Sequence, residues 1–146
     1  MNFDQTSQGE VNNSQSVNLT NENFVQEVIE KSKSIPVIVD FWAPWCEPCK
    51  QIAPILDKLV ASSNGRVVLT KMNIDEHPEI SQQLQIQSIP AILGFHNGQP
   101  VDGFVGVQPE SAIKAFVEKL ADLNGPSDND MALEQGRTLF SEKNYN

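Results

Sequence analysis

Basic residues are scarce in this chain. Ten Lys and Arg stand against 19 Asp and Glu, leaving a formal net charge of −9. That balance excludes nucleic acid as a main partner, because phosphate binding needs concentrated Lys and Arg, and it favours solubility instead. Long apolar runs are missing too. None approaches the roughly 20 residues that span a bilayer, so no membrane partner is expected. Met1 to Ser16 contain no Lys or Arg and are rich in Asn, Gln and Ser. They lack both the basic start and apolar core of a secretion signal and the arginines of a transit peptide. The expectation is a disordered lead-in over 1–16 and a cytoplasmic location, where a lasting structural disulfide is not maintained. Two cysteines, Cys46 and Cys49, and two histidines, His77 and His96, make up the short inventory of thiol and imidazole ligands.

What is present suffices for one well-cored domain with a modest appendage: 146 residues, 39% hydrophobic. Val17-Asn18-Leu19 reads as a short strand, with Thr20 or Asn21 capping a helix whose apolar face is Phe24, Val25, Val28 and Ile29. Ile35 to Trp42 is a continuous, β-branched run, as a central strand buried on both faces requires. From Glu47, the spacing of Ile52, Ile55, Leu56 and Leu59 predicts a second helix, kinked at Pro54. After an Asn64-Gly65 turn, Arg66 to Asn73 reads as another strand. Pro78 to Leu84 follows as a short helix, with Glu76 and Glu79 near its N-terminus. Asn97-Gly98 between Ala91–Phe95 and Val101–Val107 predicts a hairpin. Pro109 to Leu123 closes the domain as a helix carrying Ile113, Phe116, Val117 and Leu120. Early alternation of strand and helix requires parallel strands, and the late hairpin adds an antiparallel edge. The fold class is α/β, a mixed sheet between helices. Residues 124–130 read as a linker, and 131–146 resume helical spacing.

The pair Cys46 and Cys49 admits three readings. A zinc site needs four ligands; the cysteines supply half, and His77 and His96 match no familiar ligand spacing. Two idle cysteines are a second reading, at odds with their place between a buried strand and a helix. Reversible thiol–disulfide exchange is the third, and position favours it. Cys46 falls at a helix N-terminus, where unpaired N–H groups and the positive dipole end stabilise a thiolate, the attacking species. Cys49 lies one turn further in, as suits a resolving thiol. Pro48 lacks an N–H that the first turn would leave unpaired anyway.

The segment Asp40-Phe41-Trp42-Ala43-Pro44-Trp45-Cys46-Glu47-Pro48-Cys49-Lys50 resembles the active site of the thioredoxin family. The resemblance continues through Lys71-Met72-Asn73-Ile74-Asp75, Ser88-Ile89-Pro90 and Asn97-Gly98 to Gly106, over residues 17–123. It implies the thioredoxin fold and a protein-disulfide reductase whose only redox group is a Cys46–Cys49 disulfide, with no cofactor and no metal. Cys46 would attack a client disulfide and Cys49 would resolve the mixed disulfide. Asp40 would accept the proton of Cys49, with Lys71 beside it. Trp45, Ile74, Ile89, Pro90 (a cis-proline position), Gly106 and Val107 would form the apolar surface that receives the substrate. Trp42 would pack the motif. Implied partners are disulfide-bearing proteins and an upstream reductase.

Glu47 departs from the family, whose members usually carry glycine there. Its carboxylate competes with the Cys46 thiolate for the positive helix end, so Glu47 and Pro48 are tuning positions and the pair is expected to be more reducing. In the tail, Gly136, Leu139-Phe140 and Asn144-Tyr145 resemble the first helix of a tetratricopeptide repeat, here truncated. Together with Pro100–Phe104 and Gln108–Ser111, they are similar to thioredoxin-like bacterial holdase chaperones. That likeness implies an alternative role, a client-binding module whose redox pair protects client cysteines.

Overall fold

The computed structural model describes residues 16–123. The expected lead-in up to residue 15, the linker over 124–130 and the helical tail over 131–146 lie outside them. The described strands are β1 (Val17–Asn18), β2 (Val37–Trp42), β3 (Val68–Asn73), β4 (Ala91–His96) and β5 (Gln99–Val105). They form one five-stranded sheet in the order β1-β3-β2-β4-β5. Parallel pairing joins β1 to β3 and β3 to β2, and antiparallel pairing joins β2 to β4 and β4 to β5. The α/β class with a mixed sheet flanked by helices is as the sequence implies.

β2 is central because it is apolar on both faces: Val37, Ile38, Val39 and Phe41 are wholly buried. Alternation along the strand sorts its side chains. Ile38 packs with Ile52, Leu56 and Leu59 of helix α1 (Glu47–Ala61) and with Ile113, Phe116 and Leu120 of helix α3 (Glu110–Leu123). Val37, Val39 and Phe41 point the other way, against Phe24 and Val28 and the short helix α2 (Pro78–Gln83). Asp40 shares the α1 face with Ile38. That puts a carboxylate under the helix that carries the cysteines.

Local structure departs from expectation in two places. The first helical segment, Val25–Glu30, has π-type turns and tightens into a 3-10 turn at Lys31–Lys33. The wider turn moves Val25 off the apolar face, leaving it 58% exposed, so Phe24, Val28 and Ser32 form the buried line instead. Thr20 caps the entry: its hydroxyl accepts the Asn23 N–H at 3.0 Å while its own N–H donates to Asn23 Oδ1 at 2.8 Å. Asn21 instead donates to Glu79 Oε1 at 2.7 Å. Glu79 accepts its own backbone N–H as well, and the two bonds hold its carboxyl below the usual range, as its place in the first turn of α2 implies.

The hairpin is the second departure. Asn97 at φ 55° and Gly98 at φ 85° make a two-residue turn, so pairing begins at once with His96 opposite Gln99. β5 therefore starts earlier than the apolar pattern suggests, and it ends at Val105, before Gly106 turns the chain at φ 82°. The expected helix from Glu47 is continuous through Pro54, which sits on its exposed side.

Candidate active site

β2 ends at Trp42, and a tight turn carries the chain into α1. Cys46 closes that turn, its N–H donating to the Ala43 carbonyl at 3.1 Å. Its backbone is extended (φ −94°, ψ 104°), which makes it the N-cap residue of α1. The Cys46 sulfur then accepts the Cys49 N–H at 3.2 Å, the bond that a capping side chain makes to the third helical residue. The two cysteines form a disulfide with their Cα atoms 5.3 Å apart. Both are buried, 4% and 3% exposed, in a shell of Ala43, Trp42, Ile74 and Ile89. The bond engages both thiols with each other, and His96 closes β4 at the opposite end of the sheet. Among the described residues, no three His, Cys, Asp or Glu side chains group as metal ligands.

Behind the disulfide lies a cavity of about 190 Å³ lined by Asp40, Trp42, Cys49, Lys50, Ala53 and Lys71. Register explains the company: Asp40 of β2 stands directly opposite Lys71 of β3. Asp40 is 1% exposed, and its Oδ1 has no hydrogen-bond partner among the described residues. Burial pushes its carboxyl up to about 7, the Lys71 ammonium pulls it partly back, and Asp57 adds a further upward push. Lys71 does not bond Asp40. Its Nζ lies 3.6 Å from Asp57 Oδ1 of α1.

In front of the disulfide, Trp45 is 65% exposed and is steadied by Asp75, whose carboxylate accepts the indole N–H at 3.0 and 3.3 Å. Asp75 is itself placed by Asn73, whose Oδ1 accepts the N–H groups of Asp75 and Glu76. Trp45, Ile74, Ile86, Gln87, Ser88 and Ile89 line a cleft of about 310 Å³. The Ile89–Pro90 bond is cis, and the Pro90 carbonyl accepts the Gly106 N–H at 2.8 Å. That bond ties Gly106 to Pro90, but neither of them lines the cleft, and nor does Val107, which is exposed. Trp42 packs against the shell around the cysteines and lines two cavities. Glu47 is 75% exposed, and its carboxylate is paired with Lys50 at 3.1 Å, which offsets part of its charge at the helix end.

Three contributors escape a sequence reading. Asp57 had a usable signal, since Cys49, Ala53 and Asp57 recur every four residues and so share one face of α1. Asp75 and Ser88 fall inside the motifs that carry the resemblance, yet their roles and that of Ile86 and Gln87 do not show in the sequence, because the contacts that recruit them join elements distant in the chain.

The profile of the thioredoxin family matches residues 15–119. Thioredoxin 1 of Nostoc sp. is 41% identical over 101 residues, 69% of this chain and 92% of that protein. The thioredoxin of Rickettsia felis is 42% identical over 102 residues, covering 70% of this chain and 95% of its own length. The chloroplastic M-type thioredoxin of Spinacia oleracea is 42% identical over 99 residues, 68% of this chain but 54% of the plant protein. With the Cys46–Cys49 redox pair in place, the protein is a protein-disulfide reductase that carries its redox group in its own chain. The chain belongs to the thioredoxin family.

Proposed function

We propose that the protein reduces disulfides of other proteins by dithiol exchange, with Cys46 as nucleophile, Cys49 as resolving thiol and Asp40 as proton acceptor. The observation that carries this reading is the stacking of three features: Cys46 capping α1, Cys49 one turn inside it, and a buried carboxylate in the cavity behind Cys49. In the reduced protein, the Cys46 thiolate attacks one client sulfur. A Cys46–client disulfide forms, the client S–S bond breaks, and the electron pair leaves on the other client sulfur. Cys49 then gives its proton to Asp40, directly or through a water that the cavity has room to hold. The Cys49 thiolate attacks Cys46, the intramolecular disulfide forms, and the second client thiolate departs. Two electrons have passed to the client. An upstream dithiol reductase restores the pair.

The cleft beside Trp45 is the proposed client seat, with Ile74 and Ile89 as its apolar floor and the Pro90–Gly106 strand edge alongside. Cys49→Ala should trap the mixed disulfide. Incubating the reduced variant with an oxidised client gives a covalent adduct on non-reducing gels, released by dithiothreitol; a variant that forms none removes Cys46 from the nucleophile's role. Glu47→Gly should lower the pH at which the reduced Cys46 thiol ionises, because the competing carboxylate is gone. Following thiolate absorbance against pH checks this; an unchanged midpoint shows that Lys50 already neutralises Glu47, and a raised one refutes the competition between the carboxylate and the thiolate. The tetratricopeptide-like tail on which a client-holding role depends lies outside the described residues, and nothing in the described site calls for it.

A further inference from the structure

Lys71 sits where it could neutralise Asp40, yet it is drawn aside. The two residues are register partners on β3 and β2 and line the same cavity, but the ammonium pairs with Asp57, two turns along α1 from Cys49. Lys71 is mostly covered, its side chain 19% exposed, whereas the Asp57 side chain is 47% exposed and does not line the cavity. We propose that Asp57 is a positioning residue of the reaction: by pairing with the Lys71 ammonium, it keeps that cation off Asp40 and keeps Asp40 a competent proton acceptor for Cys49. The inference rests on the reading of Asp40 as that acceptor.

The neighbouring charges leave this role to Asp57. On α1, Lys50 lines the cavity but is engaged by Glu47 at 3.1 Å. On β3, Lys71 is the one ionisable side chain lining the cavity, and on β4 the register partner of Asp40 is the apolar Ile92. Beyond Trp42 and Lys71, a second cleft is lined by Asn18, Leu19, Asn73 and Glu76, which brings the Glu76 carboxylate to the same cleft as Lys71. A buried carboxylate with an unpaired oxygen would be the stronger attractor for Lys71 if nothing held the ammonium elsewhere. Asp57 supplies that hold, and its negative charge also discourages ionisation of Asp40. Both effects act in one direction, toward a carboxyl that takes a proton near neutral pH.

The test is a carboxyl-carbon NMR titration of Asp40 in the full oxidised chain, paired with the pH profile of insulin-disulfide turnover. Asp57→Asn keeps the shape of the side chain and removes its charge. It should move the Asp40 midpoint to lower pH by about half a unit, roughly a threefold change in the protonated-to-ionised ratio at fixed pH. The acid limb of turnover should move with it, and Asp57→Glu should restore both. Lys71→Met should move the midpoint the opposite way. In the double variant, the Asp57→Asn effect should shrink, because part of it runs through Lys71. An Asp40 midpoint in Asp57→Asn within error of the parent overturns the proposal, as does an undiminished effect without Lys71. If Asp40→Asn leaves the acid limb in place, the acceptor reading of Asp40 fails first and the role of Asp57 falls with it. If Asp40→Asn abolishes the limb while Asp57→Asn shifts nothing, only the role of Asp57 is refuted.

Discussion

The Cys46→Ser variant loses insulin-disulfide turnover down to the dithiothreitol background, a fall of at least about a thousandfold. The thiolate is the attacking species in disulfide exchange, and a serine hydroxyl neither ionises near neutral pH nor exchanges with sulfur. Unfolding does not provide an alternative explanation, because the substitution suits the local backbone. Cys46 is the N-cap of α1, and its sulfur accepts the Cys49 N–H at 3.2 Å. Serine is among the preferred residues at an N-cap and makes the same bond with a better acceptor. The side chain is 4% exposed and the replacement is slightly smaller, so packing against Ala43 and Ile89 loosens without a clash. The variant should therefore unfold at a urea midpoint close to that of the reduced parent while its turnover vanishes. Turnover above background in a folded Cys46→Ser protein moves the nucleophile elsewhere, with Cys49 the sole remaining sulfur that could serve.

The parts of this fold legible in the sequence are those whose cause is local. β2 shows itself because a strand covered by helices on both faces must be apolar at every position, and Asp40 stands out as the one exception in that run. The β4–β5 hairpin shows itself through Asn97-Gly98, whose backbone has the positive φ values that such a turn requires. The N-cap place of Cys46 follows from the strand-to-helix junction. Other features depend on what lies across a gap. β5 begins at Gln99 because pairing with His96, not the apolar pattern, decides its start. The wide turn at Val25–Glu30 follows no pattern of period, and only the exposure of Val25 betrays it. In the site, the cysteines and Asp40 carry their chemistry in their identity and position. Asp57 and Asp75 carry theirs only through Lys71 and Trp45, partners that belong to other elements.

Replacing Asp40 by alanine should make the oxidised protein more stable at pH 8, by about 3 kcal/mol, while slowing client turnover. The gain comes from the carboxylate's surroundings. Asp40 is almost wholly buried, and one of its oxygens lacks any partner among the described residues. Its carboxyl is raised from 3.8 to about 7, chiefly by that burial. A folded state that binds its proton more tightly than the unfolded chain is favoured at low pH and loses that advantage as pH rises. Below about pH 4, Asp40 is protonated in both states and costs nothing. Between about pH 4 and about pH 7, the unfolded chain releases the proton freely and the folded chain does not, so stability declines. Above about pH 7 the decline is complete, and three units of displacement correspond to about 4 kcal/mol. The smaller alanine side chain gives back about 1 kcal/mol in lost packing. Urea unfolding of parent and variant at pH 4, 6 and 8 separates the contributions. The difference should grow with pH and level off above neutrality. A constant difference would mean that the carboxyl titrates alike in both states and that the gain, if any, has another origin. Slower turnover in the more stable variant would show that the chain retains a destabilising acid where Cys49 needs a base.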